Sequence, residues 1–272
     1  MSERPILVLG ATGTTGRRVA RLLLARGAEV RGASRGGDVR FDWSDRDTWA
    51  PALAGVERMY LMAPHETPVD EAFVGQAVEQ GVRRIVLLSS RGIEEMGDQR
   101  LLDAERIVRD SGAGWTILRP DWFDQNFDEG FLRPAVLAGA LALPVGDARQ
   151  GFVDADDIAA VAAVALTEDG HEGQTYELTG PATLSFAEAL AAISHASGRG
   201  VEFRGGDDDY LAQQTALGFP EEQTRAEIAA FAALREQGDA TTTDAVPRVT
   251  GRAATSFEEY AAEAAAGPAW RE

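Results

Sequence analysis

A buried strand, a glycine-punctuated turn and an amphipathic helix follow one another at the start of the chain, and they narrow the fold more than any other feature. The strand reads Pro5-Ile6-Leu7-Val8-Leu9 and the turn Gly10-Ala11-Thr12-Gly13-Thr14-Thr15-Gly16; the helix repeats Val19, Leu22 and Leu23 before Gly27 stops it. Aliphatics in an unbroken run are buried on both faces, as in a parallel strand covered by helices. Gly10 permits the tight turn, Gly13 lets backbone approach a bound anion, and Gly16 lets helix and strand pack closely. The N–H groups at the helix start then form the positive end of its dipole. In this context the turn cradles a pyrophosphate, with Thr12, Thr14 and Thr15 as further hydroxyl donors.

The alternation continues. Ala28 to Ser34, Val39 to Asp42, Val56 to Ala63, Arg84 to Ser90 and Trp115 to Leu118 read as further strands. Between them lie a helix opened by Thr67-Pro68 and carrying Phe73, Val74, Ala77 and Val78, and one carrying Leu101, Leu102, Ile107 and Val108 up to Gly112. Strands alternating with helices specify an α/β fold, a doubly wound parallel sheet of Rossmann type. Beyond residue 120 short helices dominate, over Asp156–Leu166, Ser185–Ala196, Asp207–Leu217, Pro220–Gln237 and Ser256–Ala265, with brief strands near Tyr176 and Val201 and a polar loop over Gly238–Pro247. The pattern predicts a dinucleotide-binding domain over residues 1–150. A smaller, mostly helical substrate lobe over 151–272 is interleaved with it on the carboxyl ends of the sheet.

Composition removes several alternatives. A net charge of −18 disfavours a nucleic-acid partner, which requires a basic face. No apolar run approaches the roughly 20 residues that span a bilayer. The start, Met1 to Pro5, lacks the layout of a signal peptide, so a cytoplasmic address is expected. Cysteine is absent, and no His/Asp/Glu cluster has metal-ligand spacing, so neither a thiolate site nor a metal is expected. All 26 basic residues are arginine, which keeps its proton at working pH, so no lysine-dependent mechanism is open to the chain.

The second strand ends Ala33-Ser34-Arg35, where an acid would bond the ribose of NAD(H). A hydroxyl followed by a guanidinium suits a 2′-phosphate, so NADP(H) is favoured, with NAD(H) the alternative. Asp42 is placed to meet the adenine edge. His65 follows Ala63-Pro64 at the end of the fourth strand and is the nearby group whose ordinary pKa suits acid–base work. Ser89 and Ser90 end the fifth strand, as hydroxyls for the carboxamide or for a substrate oxygen. Trp122, Phe123, Asn126 and Phe127 follow the sixth, with rings suited to a flat ligand.

Together the glycine loop, Phe41-Asp42-Trp43, Val86-Leu87-Leu88-Ser89-Ser90, Ser111-Gly112, Trp115 to Pro120, Trp122-Phe123-x-x-Asn126-Phe127, Asp156-Asp157-Ile158 and Val249-Thr250-Gly251-Arg252 with Phe257 resemble the NmrA-like, atypical short-chain dehydrogenase/reductase family. Within it the chain is most similar to the branch of ergot-alkaloid dehydrogenases of agroclavine and festuclavine type. The resemblance implies a nicotinamide between the fourth and fifth strand ends, with Ala63, Pro64, Ser89 and Arg100 as cofactor contacts and no flavin. It also marks a departure: Met96 and Arg100 stand where such dehydrogenases place Tyr and Lys. The function expected is NAD(P)(H)-dependent reduction of an imine, quinone or enone in a hydrophobic polycyclic or aromatic metabolite, with His65 and Ser90 as the catalytic candidates. A redox-silent dinucleotide sensor and a tailoring oxygenase of an anthrone-like aromatic are the alternatives. Monomer and homodimer are both compatible with the sequence.

Overall fold

The alternation of strand and helix closes into one parallel sheet. The computed structural model describes residues 4–64 and 67–271. In chain order the elements are β1 (Ile6–Leu9), α1 (Thr14–Ala25), β2 (Val30–Ser34), β3 (Val39–Arg40), α2 (Trp49–Leu53), β4 (Arg58–Leu61), α3 (Glu71–Glu79), β5 (Arg84–Leu88), α4 (Gln99–Asp110) and β6 (Gly114–Pro120). They continue as α5 (Arg133–Ala138), β7 (Ala140–Ala142), α6 (Ala155–Thr167), β8 (Gln174–Leu178), α7 (Phe186–Ser197), β9 (Glu202–Arg204), α8 (Asp207–Ala216), α9 (Glu221–Glu236), α10 (Ala245–Thr250) and α11 (Phe257–Ala266).

The chain divides into two interleaved units. The first is built from the described residues up to Pro120, Ala155–Leu178 and Asp244–Arg252. Its sheet has the order β3-β2-β1-β4-β5-β6-β8, parallel throughout. The inward aliphatics Leu7, Leu9, Met59, Leu61, Ile85, Leu87 and Ile117 pack with Trp49, Phe73 and Val108 in one buried cluster. Helix α3 starts at Asp70, whose carboxylate accepts from Ala72 N at 2.8 Å. This corrects the expected cap at Thr67-Pro68: both residues precede the helix, and the Asp70 carboxylate takes the capping bond.

A second correction concerns the strand near Tyr176. It is β8, the seventh strand of the main sheet, paired with β6 from Thr116↔Gln174 to Pro120↔Leu178. The helix before it, α6, is buried along nearly its whole length, as a helix apolar all round must be. Asp157 on α6 is fully buried and pairs with Arg252 at 2.5 Å, which ties residues 244–252 to this unit. The division therefore does not fall at residue 150. Elements α6, β8 and α10 belong with the first unit, whose segments alternate along the chain with those of the second.

That second unit comprises Asp121–Asp154, Thr179–Thr243 and Ala253–Glu272. It holds the two-stranded parallel sheet β7-β9 and helices α5, α7, α8, α9 and α11. The expected strand near Val201 is β9. Ser185 with Glu188, and Ser256 with Glu259, form reciprocal capping boxes that start α7 and α11. Its core is aromatic, with Phe127, Phe152, Phe186, Phe257, Tyr260 and Trp270 buried together. Among the described residues no helix is long and apolar enough to cross a membrane.

Candidate functional site

The glycine turn has the geometry its sequence demands. Gly10 adopts φ +65°, and a Cβ there would stand 2.6 Å from Met62 Sδ. A Cβ on Gly16 would meet the Gly10 carbonyl oxygen at 2.1 Å, and one on Gly13 would meet it at 3.2 Å. Gly13 is the N-cap of α1, and no side chain caps the helix. The first-turn N–H groups therefore keep their bonding capacity for an anion. Thr12 is exposed and Thr14 half-buried at the mouth of this cradle. Thr15 corrects the expectation of a third outward hydroxyl. It is buried, and its Oγ1 accepts from the Tyr60 hydroxyl at 2.9 Å. Burial pushes the Tyr60 phenol far above its ordinary pKa, so it acts as a fixed donor beneath the turn.

At the end of β2 the polar groups are unengaged. Ser34 is buried, yet its Oγ has no hydrogen-bond partner. A Cβ on Gly37 would stand 2.7 Å from that hydroxyl, so glycine there leaves it room. Arg35 is exposed and makes no ion pair among the described residues. Asp42 accepts from Ser44 Oγ at 2.7 Å and Ser44 N at 3.0 Å. Those bonds, with the charges of Arg35 and Arg40, hold its carboxyl below the ordinary range. A cradle that one Cβ would fill, followed by a buried hydroxyl without a partner and an exposed guanidinium, fits the pyrophosphate and ribose of a dinucleotide.

The ends of β4, β5 and β6 differ in kind. After β4, Ala63 is half-buried against the core and Pro64 is exposed. His65 lies outside the described residues. Ser89 N donates to Leu118 O at 2.8 Å, and Arg91 N to Pro120 O at 3.0 Å, so pairing with β6 continues past the end of β5. The Ser89 hydroxyl donates at 2.6 Å to Glu105, which corrects its expected availability as a donor. Ser90 is half-buried, its hydroxyl 3.3 Å from Arg91 O. Met96 is exposed in the turn before α4, and Arg100 in the first turn of α4 pairs with Asp98 at 3.3 Å.

Sequence reasoning passed over Glu105. It is fully buried, and both Arg119 and Arg109 pair with it. Burial pushes its carboxyl up, but hydrogen bonds from Arg119 and Ser89 and the two guanidinium charges outweigh that and hold it below the ordinary range. The visible signal is an acid four residues after Leu101 on the apolar face of a helix.

In the second unit, Trp122 is half-buried and sits edge-on against Phe186, centroids 5.1 Å apart and planes at 88°. Phe123 is half-buried and bridges to Val153. The carbonyl of half-buried Asn126 accepts from Leu132 N at 3.0 Å. Phe127 is corrected from pocket lining to core: it is fully buried and packs against Phe152, Phe186 and Phe257. Among the described residues no group of His, Cys, Asp or Glu is arranged to hold a metal ion.

Strand order and glycine cradle together define a doubly wound dinucleotide-binding protein. A family model described as NAD(P)H-binding matches residues 10–169, and the chain belongs to that family. It is 34% identical over 278 residues to an NAD(P)H azoreductase of Xenophilus azovorans, covering 94% of this chain and 96% of the other. To festuclavine synthase I of Penicillium roqueforti it is 29% identical over 282 residues, covering 94% and 96%, in keeping with the NmrA-like branch that the motifs resemble. The fold is shared with the NADPH complex of an NADPH-dependent quinone oxidoreductase from Escherichia coli, at TM-score 0.73 and 23% identity over 95% of this chain and 99% of that one.

Proposed function

We propose that the chain is an NADPH-dependent reductase of a hydrophobic aromatic acceptor, with quinones, imines and enones as the acceptor classes. The observation that carries the reading is the buried, unpartnered Ser34 hydroxyl beside exposed Arg35 at the end of β2. Ser34 donates to the ribose phosphate and Arg35 grips it with the parallel N–H pair of a guanidinium fork. The first-turn N–H groups of α1 bind the pyrophosphate, and Asp42 meets the adenine edge. When bound, NADPH supplies a hydride to an electron-poor centre. Ser90 orients the acceptor heteroatom. Arg100 holds a ribose hydroxyl but passes no proton, so the proton comes from water or from His65. Quinones and imines need the least acid assistance, which suits a chain without the Tyr-Lys pair. The names azoreductase, quinone oxidoreductase and festuclavine synthase among its relatives support an unsaturated acceptor of this kind.

The test is calorimetric titration with NADPH and NADH. Absorbance at the nicotinamide band is then followed with a panel of quinones, cyclic imines and anthrones, an oxygen electrode running alongside. Acceptor-dependent consumption of NADPH is expected. Tight binding without consumption by any acceptor overturns the reading in favour of a dinucleotide sensor. Oxygen uptake with the dinucleotide unconsumed overturns it in favour of an oxygenase.

A further inference from the structure

The order β3-β2-β1-β4-β5-β6 is that of two mononucleotide-binding halves meeting at β1 and β4. The glycine turn and the end of β2 serve the adenosine half, which leaves the ends of β4, β5 and β6 to the nicotinamide half. At the ends of β5 and β6 lies an ionic chain centred on the buried Glu105. Glu105 Oε1 accepts from Ser89 Oγ at 2.6 Å and Arg119 Nε at 2.8 Å. Its Oε2 accepts from Arg119 Nη2 at 2.7 Å and Arg109 Nη2 at 2.8 Å. The same Arg119 reaches Glu94 at 2.7 Å and 3.3 Å.

Glu94 belongs to residues 90–98, the segment between β5 and α4, which has no strand or helix ladder of its own. Three backbone bonds close it on itself, Met96 N to Gly92 O, Gly97 N to Glu94 O and Asp98 N to Ile93 O. Glu94 in the middle of the segment is thus fastened through the Arg119 guanidinium, held as a planar fork by Glu105, which also accepts from Ser89 just ahead of the segment. A buried ion pair is seldom the most stable way to fill a core, so stability alone does not explain this one. It does fix geometry.

We propose that Glu105, Arg119 and Glu94 are positioning residues, forming a relay that holds segment 90–98, and Ser90 at its base, where it receives the nicotinamide half of the dinucleotide. The inference rests on NAD(P)H binding and does not require turnover. Glu94→Gln tests it at the relay's exposed end, where the buried part of the chain is left in place. Arg119→Lys tests it at the centre, because one ammonium cannot span both carboxylates. NADPH and adenosine 2′,5′-bisphosphate, which lacks the nicotinamide half, are titrated by calorimetry, and hydrogen exchange is read over 90–98. The expected result is NADPH binding weakened about tenfold in both variants, with the fragment unchanged, the segment exchanging faster and the Glu94→Gln melting temperature as in the parent. Wild-type NADPH affinity in Glu94→Gln overturns the proposal, as does equal weakening of both ligands. If the protein binds NADPH but reduces nothing, the reductase reading fails and these measurements still decide the relay.

Discussion

The two ends of the proposed dinucleotide site treat their polar groups in opposite ways. At the end of β2, Ser34 Oγ is buried without a partner and Arg35 makes no ion pair among the described residues. At the ends of β5 and β6, Ser89, Glu105, Arg119 and Glu94 bond one another. Leaving a buried hydroxyl unpaired costs about 1–3 kcal/mol, a penalty that a ligand relieves on binding. Saturating a strand end with ion pairs does the reverse: it fixes backbone and offers a ligand little. The first end is built to capture and the second to hold position. That division suits a reduction in which the cofactor brings the hydride and the protein contributes geometry.

The comparison is broken most severely at the glycine turn, on which the adenosine end depends. Gly16→Ala puts a methyl within 2.1 Å of the Gly10 carbonyl oxygen, and backbone cannot yield that far without opening the turn. Calorimetry is expected to show NADPH affinity falling by about 1000-fold or more, roughly 4 kcal/mol. Affinity within a few-fold of the parent refutes the cradle.

At the other end the largest effect is on stability. Glu105→Gln leaves Arg119 and Arg109 without a full counter-charge in a buried place, a change that costs about 3–5 kcal/mol in denaturant melts. The sign with pH follows from the depressed folded pKa of Glu105. Its contribution is complete above the unfolded carboxyl value near 4.5 and disappears as pH falls through the lower folded value. The gap between parent and variant should therefore narrow below that pH and stay constant from neutrality down to it. A gap that widens in acid contradicts the pairing.

Arg35→Ala sharpens the contrast at the capture end. It removes a guanidinium from an exposed position, so melts should match the parent. NADPH binding is expected to weaken about 10- to 100-fold while NADH binding is unaltered, the loss of one charge-assisted fork on phosphate. Equal losses for both dinucleotides would place Arg35 away from the 2′-phosphate.

How much of this was legible in the sequence differs between the same two ends. The capture end is local: Gly10 to Gly16 and Ser34-Arg35 each sit directly after a strand, so register along the chain puts them at its carboxyl edge. The holding end is assembled from β5, α4 and β6, and a lone acid such as Glu105 in an apolar helical stripe gives no sign of its distant partner at Arg119. Phe127 shows a related limit, since a ring in a core and a ring lining a pocket have the same hydrophobicity. A threonine at a helix start can face either way, and for Thr15 the buried Tyr60 hydroxyl marks the inward one. Tyr176 lies on a strand reached across an interleaved segment, so sequence neighbourhood placed it in the wrong layer.

The finest distinction compares two serines with the same side chain at the ends of two strands of one sheet. Ser34→Ala deletes a buried hydroxyl that has no partner, so the free protein should be unchanged or more stable by up to about 1 kcal/mol. NADPH binding should meanwhile weaken by about fivefold, since the ligand loses one hydrogen bond. Ser89→Ala deletes a hydroxyl that donates to Glu105 at 2.6 Å, and stability should fall by about 1–2 kcal/mol because a charged acceptor loses a donor in a buried place. Chemical melts with and without NADPH read both variants at once. Opposite signs in the free protein would confirm that one serine waits for a ligand while the other already holds the fold. If both variants lose stability alike, Ser34 has a partner within the protein and the capture end is no more open than the other.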